Sequence, residues 1–264
     1  MHLLITNDDG YRAPGLLALA AAVRMLGLPA TIVAPSVPMS GAGQSRRSGV
    51  PFEWAWAEPL AGIPAIHLGS TPSACVVFAL TAGVVPPVDL ALSGVNAGEN
   101  LGATLGVSGT FGAVAEAAAR GIPGVALSRE FGGAWTTPET WDWSWVADAS
   151  ANILTILLAA RSSWLTANVN LSGTDRGTDP AYTRLSRELY YTDGYDAGTG
   201  AIESRIGYRA GHLASDDDIT AFAEQRRTSI TLTAPAGFRN AALHRYGTRD
   251  PTVPGSESRS WRRR

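Results

Sequence analysis

The order of its apolar segments constrains this chain most. In the first half, short runs suited to buried strands alternate with longer runs of helical period. His2–Thr6 is apolar and ends in a polar turn, which predicts a strand. Pro14–Leu26 follows with Leu16, Leu19, Val23 and Leu26 on one helical face. Pro14 suits the first turn of that helix and Gly27 the position just past its end. Ala30–Ala34 predicts a second strand, Ser73–Leu80 a helix, Val88–Leu92 a strand, Phe111–Arg120 a helix and Val125–Ser128 a strand. Ser144–Ala160 closes the series as a longer helix. Such alternation requires parallel strands joined by crossovers, so the expected fold class is α/β with a doubly wound, mostly parallel sheet.

Beyond about residue 166 the texture changes. Ala167–Leu171 and Ser229–Thr233 read as further strands, whereas Thr192–Ala214 is rich in Gly, Asp and Tyr and reads as hairpins or an extended arm. Asp250–Arg264 combines Pro, Gly, Ser and Arg, the composition of a mobile tail. The expected organisation is one domain over 1–264, with a core over about 1–165, a smaller C-terminal part over about 166–249 and a tail over about 250–264.

Composition removes several function classes. All 21 cationic side chains are Arg, so neither a P-loop lysine nor a lysine Schiff base is available. The net charge of −2 carries no basic excess, and no nucleic-acid partner is expected. Cys75 is the single cysteine, which excludes an intrachain disulfide and a Cys-rich zinc site. His2, His67, His212 and His244 lie far apart with no metal-ligand spacing. The N-terminus lacks the features of a signal peptide, and Ser73–Val85 and Ala151–Ala160 are too short to span a bilayer. The expectation is a cytoplasmic protein with no membrane contact.

Three polar clusters follow three of the expected strands: Asn7-Asp8-Asp9-Gly10, Ser40-Gly41-Ala42-Gly43 and Ser93-Gly94-Val95-Asn96. In an open parallel sheet the carboxyl ends of the strands share one edge, where ligands bind, so these loops should converge. Asn-Asp-Asp-Gly is also ordinary turn chemistry. Adjacent carboxylates at the buried end of a strand, however, repel one another unless a cation or a donor compensates them. Ser40 and Asn96 add neutral oxygens, and the four together form a hard-cation ligand set suited to Mg²⁺ or Mn²⁺. Ser108-Gly109-Thr110 stands at a helix start, where backbone amides favour an anion, although Ser108 is equally an ordinary N-cap. A cation site beside an anion cradle points to a phosphate ester. Two other features have bland readings: Trp141, Trp143 and Trp145 as packing at a helix start rather than a base-stacking platform, and Asp216-Asp217-Asp218 as a solvated turn or helix cap rather than a second metal cluster.

Thr6-Asn7-Asp8-Asp9-Gly10 with Ala13-Pro14-Gly15, then Ala34-Pro35 with Ser40-Gly41, then Ser93 through Gly102 with Ser108-Gly109-Thr110, resemble in order the blocks of the SurE family of survival-protein phosphatases, which are 5′(3′)-nucleotidases. Asn168-Val169-Asn170 and Thr183-Arg184 are similar to weaker features of that family. The chain departs from the pattern at Gln44, where His is frequent, at Ser73-Ala74, where Ala-Asp is common, at Ser172, where Pro is frequent, and before Thr228. The resemblance implies a Rossmann-like core and one divalent cation per subunit on Asp8, Asp9, Ser40 and Asn96. It also implies a homodimer or homotetramer joined through C-terminal segments such as Thr192–Ala214. Asp8 and Asp9 would be the catalytic pair, and Asn7, Asn96, Ser108, Gly109 and Thr110 would hold the phosphate or substrate. The implied reaction is hydrolysis of a nucleoside 5′- or 3′-monophosphate by metal-activated water. Which aspartate takes the proton stays open. Rival readings are a non-catalytic metal and nucleotide binder, a phosphatase for another small ester or short polyphosphate, and a doubly wound enzyme with a nucleotide cofactor.

Overall fold

A computed structural model describes residues 1–131, 138–160, 165–196, 198–206 and 211–233. The expected tail, His244 and residues 197 and 207–210 of the expected arm lie outside them. The strands are β1 Leu3–Thr6, β2 Ala30–Pro35, β3 Trp54–Leu60, β4 Ile63–Leu68, β5 Leu90–Ala97, β6 Gly124–Arg129, β7 Thr166–Leu171, β8 Ala181–Thr183, β9 Tyr191–Asp196, β10 Ala201–Ile206 and β11 Ser229–Thr233. The helices are α1 Pro14–Met25, α2 Pro72–Thr81, α3 Gly109–Ala118 and α4 Val146–Ala159.

Nine strands form one sheet in the order β3-β4-β2-β1-β5-β6-β7-β11-β8. Only β3 against β4 and β11 against β7 run antiparallel within it. The centre is parallel, with Leu3, Leu4 and Ile5 of β1 facing Ala30, Thr31 and Ile32 of β2 on one side and Leu90, Ala91 and Leu92 of β5 on the other. Side chains alternate between faces along a strand, and both faces of β1 are buried. Leu3 and Ile5 pack with Leu16, Leu19 and Val23 of α1 and Ile153, Leu154 and Leu157 of α4. Leu4 packs on the other face with Cys75, Val76 and Ala79 of α2 and Ala113 and Ala117 of α3. Helices therefore cover both faces, which is the expected doubly wound, mostly parallel α/β fold.

The strand order places the site. From β1 the chain moves outward to β2 and β4 on one side, then returns to add β5, β6 and β7 on the other. The order thus reverses between β1 and β5, and the crevice beyond their carboxyl ends is where such sheets bind ligands. β7, β11 and β8 continue the same sheet, so the C-terminal part supplies sheet edge as well as the separate antiparallel pair β9–β10.

Two local outcomes differ from the sequence reading. The Ser93–Asn96 cluster belongs to β5, which runs on to Ala97 through a register shift between Ser93 and Asn96 against β6. Trp141 and Trp143 precede α4, whose N-cap is Trp145. Among the described residues, no helix is long and apolar enough to cross a membrane.

Candidate active site

A cavity of about 610 Å³ opens at the switch point. Asp8, Asp9, Ser40, Asn96 and Ser108 line it, so four polypeptide segments distant in sequence do converge. The loop after β1 is fixed from within: the Asn7 side chain donates to Gly10 O at 2.8 Å, and Asp8 O accepts from Met39 N at 2.7 Å. The second contact also anchors the segment bearing Ser40, which stands exposed at the rim.

Asp8 is the most buried acid lining the cavity, 4% exposed. Thr110 donates its hydroxyl to Asp8 Oδ1 at 2.5 Å. Gly109, the first residue of α3, lies so close that a Cβ there would stand 2.8 Å from Asp8 Oδ2, and only glycine lets the helix N-terminus approach the carboxylate this way. Asp9 is half-buried and accepts a hydrogen bond from Ala97 N at 3.1 Å on β5. Burial raises both carboxyls above their ordinary range. The Thr110 hydroxyl and the Gly109 and Thr110 amides oppose that rise at Asp8. Asp9 is pushed up to about 7 by burial first and the Asp8 charge second, with Ala97 N–H opposing and nearby Glu139 adding to the rise.

Two carboxyls driven upward together form a site lacking a positive charge. Among the described residues, no group of three or more His, Cys, Asp or Glu side chains is arranged for a metal, so Asp8 and Asp9 need neutral oxygens to complete a ligand set. Asn96 donates its amide N–H to Gly98 O at 2.7 Å, which commits its NH₂ end to the loop and leaves its oxygen end for a ligand. The donor set of two carboxylates, one amide oxygen and one hydroxyl fits a hard divalent cation.

The expected phosphate-contacting residues divide. Ser108 lines the cavity and also accepts from Phe111 N at 3.1 Å, so it is both N-cap and wall. Asn7, Gly109 and Thr110 are buried and absent from the cavity lining. Asn7 closes its own turn, while Gly109 and Thr110 press on Asp8 from behind. Their contribution is to position the acid.

Several residues that the sequence reading named only within family-like segments, with no role in the site, hold this region together. Glu99 is 5% exposed and lines the cavity; its Oε1 accepts from the Tyr191 hydroxyl at 2.6 Å and its Oε2 from Phe131 N at 2.8 Å. Asn168 and Asn170 of β7 both donate to Asn100 O, at 2.8 and 3.0 Å, and Asn170 Oδ1 accepts from Asn100 N at 2.7 Å. The sequence signal was there: two asparagines two residues apart on an otherwise apolar strand point to one face. Gln44 and Ala74 do not line the cavity. Gln44 donates to Glu116 Oε2 at 3.0 Å, pinning its loop on α3, and Ala74 sits in the buried first turn of α2.

The fold and site define a doubly wound α/β protein with an acidic ligand cavity at its switch point. The chain belongs to the SurE family: the family model described as Survival protein SurE matches residues 3–192. It is 36% identical over 198 residues to 5′-nucleotidase SurE of Chloroflexus aggregans, an alignment covering 72% of this chain and 74% of that protein. It is 41% identical over 130 residues to 5′-nucleotidase SurE of Methanopyrus kandleri, covering 49% of each. In three dimensions it resembles the crystal structure of the SurE protein from Aquifex aeolicus, with a TM-score of 0.69 and 26% identity over 90% of this chain and 95% of that one.

Proposed function

We propose that the chain is a divalent-metal-dependent phosphomonoesterase that hydrolyses nucleoside 5′-monophosphates, and 3′-monophosphates as well, to nucleoside and phosphate. The observation carrying this reading is the adjacent Asp8–Asp9 pair, both carboxyls pushed upward by burial, lining a cavity whose neighbouring wall is Ser108 at the head of α3. The relatives bearing the name 5′-nucleotidase SurE support both the reaction and its substrate.

A divalent cation on Asp8, Asp9, Asn96 and Ser40 supplies Lewis-acid polarisation of the phosphoryl group and a more acidic water; Mg²⁺ and Mn²⁺ suit these oxygens. Asp8 is the structural anchor of the set, since Thr110 and the α3 amides fix its orientation. Asp9 is the more exposed of the pair, and we assign it the proton of the attacking water. Ser108, on the cavity wall, is the side chain we assign to the phosphate. Water oxygen bonds to phosphorus as the ester P–O bond breaks, and the leaving oxygen takes a proton from solvent to depart as the nucleoside hydroxyl. The departures at Gln44 and Ala74 lie off the cavity and give no support to a non-catalytic binder.

The pair β9–β10, which joins no other strand among the described residues, is the arm through which we propose that protomers form a dimer or tetramer. A cytoplasmic location completes the reading. The test is phosphate release from nucleoside monophosphates and an aryl phosphate with EDTA, Mg²⁺ or Mn²⁺, alongside light scattering for the assembly. Metal-dependent turnover supports the proposal; folded protein with no turnover under any metal refutes it.

A further inference from the structure

The cavity is larger than a phosphate requires and falls within the range of small-molecule pockets. Polar side chains, among them Asp8, Asp9, Asn96, Glu99 and Ser108, line it together with the apolar surfaces of Pro14, Pro138, Trp143 and Tyr191. We propose that Trp143 is the surface on which the base of the substrate stacks, making it a specificity-determining residue; this rests on the nucleotidase reading above.

Trp143 is half-buried, unlike Trp141 and Trp145, which are 9% and 7% exposed and pack as the sequence reading expected. Its only polar group is committed, because Nε1–H donates to Pro138 O at 2.7 Å. What remains for the cavity is indole ring. The ring is held from several sides. Arg129 brings its guanidinium carbon to 5.0 Å from the Trp143 ring centre and to 5.1 and 5.3 Å from those of Trp141 and Trp145. That guanidinium is itself fixed by donating to Asp142 O at 2.6 Å and Glu130 O at 3.0 Å. Trp141 lies nearly parallel to Trp143, with ring centres 6.3 Å apart. On the α1 side, a Cβ at Gly15 would stand 2.9 Å from Trp143 Cζ3, so the ring rests on bare backbone.

A ring so restrained loses little freedom when a ligand stacks on it, which favours binding. Tyr191 resembles Trp143 in chemistry, since its hydroxyl is committed to Glu99. Two aromatic side chains with their polar atoms engaged recognise a flat ring without reading its hydrogen-bonding edge. Every base has a π face, so the wall accepts purines and pyrimidines alike and discriminates against esters that have no base.

The test compares wild type, Trp143→Leu and Trp143→Phe on adenosine 5′-monophosphate, uridine 5′-monophosphate and ribose 5-phosphate, with melting curves to verify folding. Trp143→Leu is expected to raise KM for both nucleotides about tenfold, leave kcat/KM for ribose 5-phosphate within about twofold, and be largely rescued in Trp143→Phe. Equal losses on all three substrates, or no loss on any, overturn the proposal. If wild type hydrolyses none of them, the nucleotidase reading falls, and adenosine binding by calorimetry decides the stacking surface separately. Binding by wild type and Trp143→Phe but not by Trp143→Leu sustains it, and any other pattern overturns it.

Discussion

Asp8-Asp9 and Asp216-Asp217-Asp218 are the two runs of adjacent aspartates in this chain, and their oxygens meet different partners. Asp8 and Asp9 sit at the crevice between β1 and β5 and share a cavity; burial raises the affinity of both for protons, and the Asp8 charge raises that of Asp9 further. In the second run the oxygens find partners within the protein, although burial still pushes the Asp218 carboxyl up to about 6. Asp216 pairs with Arg184 at 2.7 Å. Asp217 accepts from Ile219 N at 3.0 Å. Asp218 is fully buried, so of the two sequence readings, solvated turn or helix cap, the solvated one fails for it; it accepts from Gly102 N, Ser186 N and Ile219 N at 2.9, 2.9 and 3.0 Å. Adjacent carboxylates therefore carry no chemistry by themselves. They point to a ligand when the fold buries them without donors enough.

If that contrast is right, equal charge changes have unequal outcomes. Asp8→Asn removes a proposed cation ligand while keeping its shape, so turnover is expected to drop about a thousandfold or more, the cost of several kcal/mol of transition-state stabilisation. Phosphate release with saturating Mn²⁺ checks this; activity within tenfold of wild type would dissolve the distinction between the runs. Asp218→Ala acts on stability instead. It leaves the buried N–H groups of Gly102 and Ser186 unpaired, while Ile219 N keeps its bond to Asp217, and is expected to cost about 2–4 kcal/mol in urea unfolding, with activity per folded molecule reduced less than tenfold.

The same contrast explains what could be read in advance. Strands and helices whose cores follow simple periodicity, such as β1, α1, β2, α2 and β11, lie within about two residues of the sequence reading. The hairpin β3–β4 went unread because Trp54 and Trp56 point apolar surface outward on an edge strand, which defeats the inside-apolar rule. The end of β5 was read as a loop because Ser93-Gly94-Val95-Asn96 has turn composition; pairing with β6 overrides it. In the site, Asp8, Asp9, Ser40, Asn96 and Ser108 were legible because parallel strands deliver their ends to one edge. Trp143 and Tyr191 were not. Each follows irregular backbone, and Tyr191 reaches Glu99 from 92 residues away, a contact no local pattern encodes.

A smaller effect sharpens the comparison through pH. In the metal-free protein the Asp9 carboxyl keeps its proton up to about pH 7, while in the unfolded chain it releases it near pH 3.9. The folded state binds more protons across that window, so the stability this group contributes is full below about pH 4 and is lost as the pH rises through 7. A divalent cation must displace the proton, and its affinity is expected to weaken roughly tenfold per pH unit below 7. Calorimetric Mn²⁺ titrations at pH 6, 7 and 8 test this, and a pH-independent affinity would argue that the pair is not the ligand.

The smallest effect belongs to Asp216→Asn. Arg184 and Asp216 form a two-pronged pair, with Nε to Oδ2 and Nη2 to Oδ1 both at 2.7 Å, yet their side chains are 74% and 50% exposed. Water and salt screen such a pair, and ordering two long side chains offsets its attraction. The backbone already joins the two segments: Arg184 N donates to Asp216 O at 2.8 Å, and Arg184 O accepts from Asp218 N at 2.9 Å. Asp216→Asn is thus expected to leave both the melting temperature and turnover unchanged within error. A clear drop in melting temperature would mean that the exposed run needs its charge as much as the buried one does. The difference between the two would then lie in burial alone, not in which partners their oxygens find.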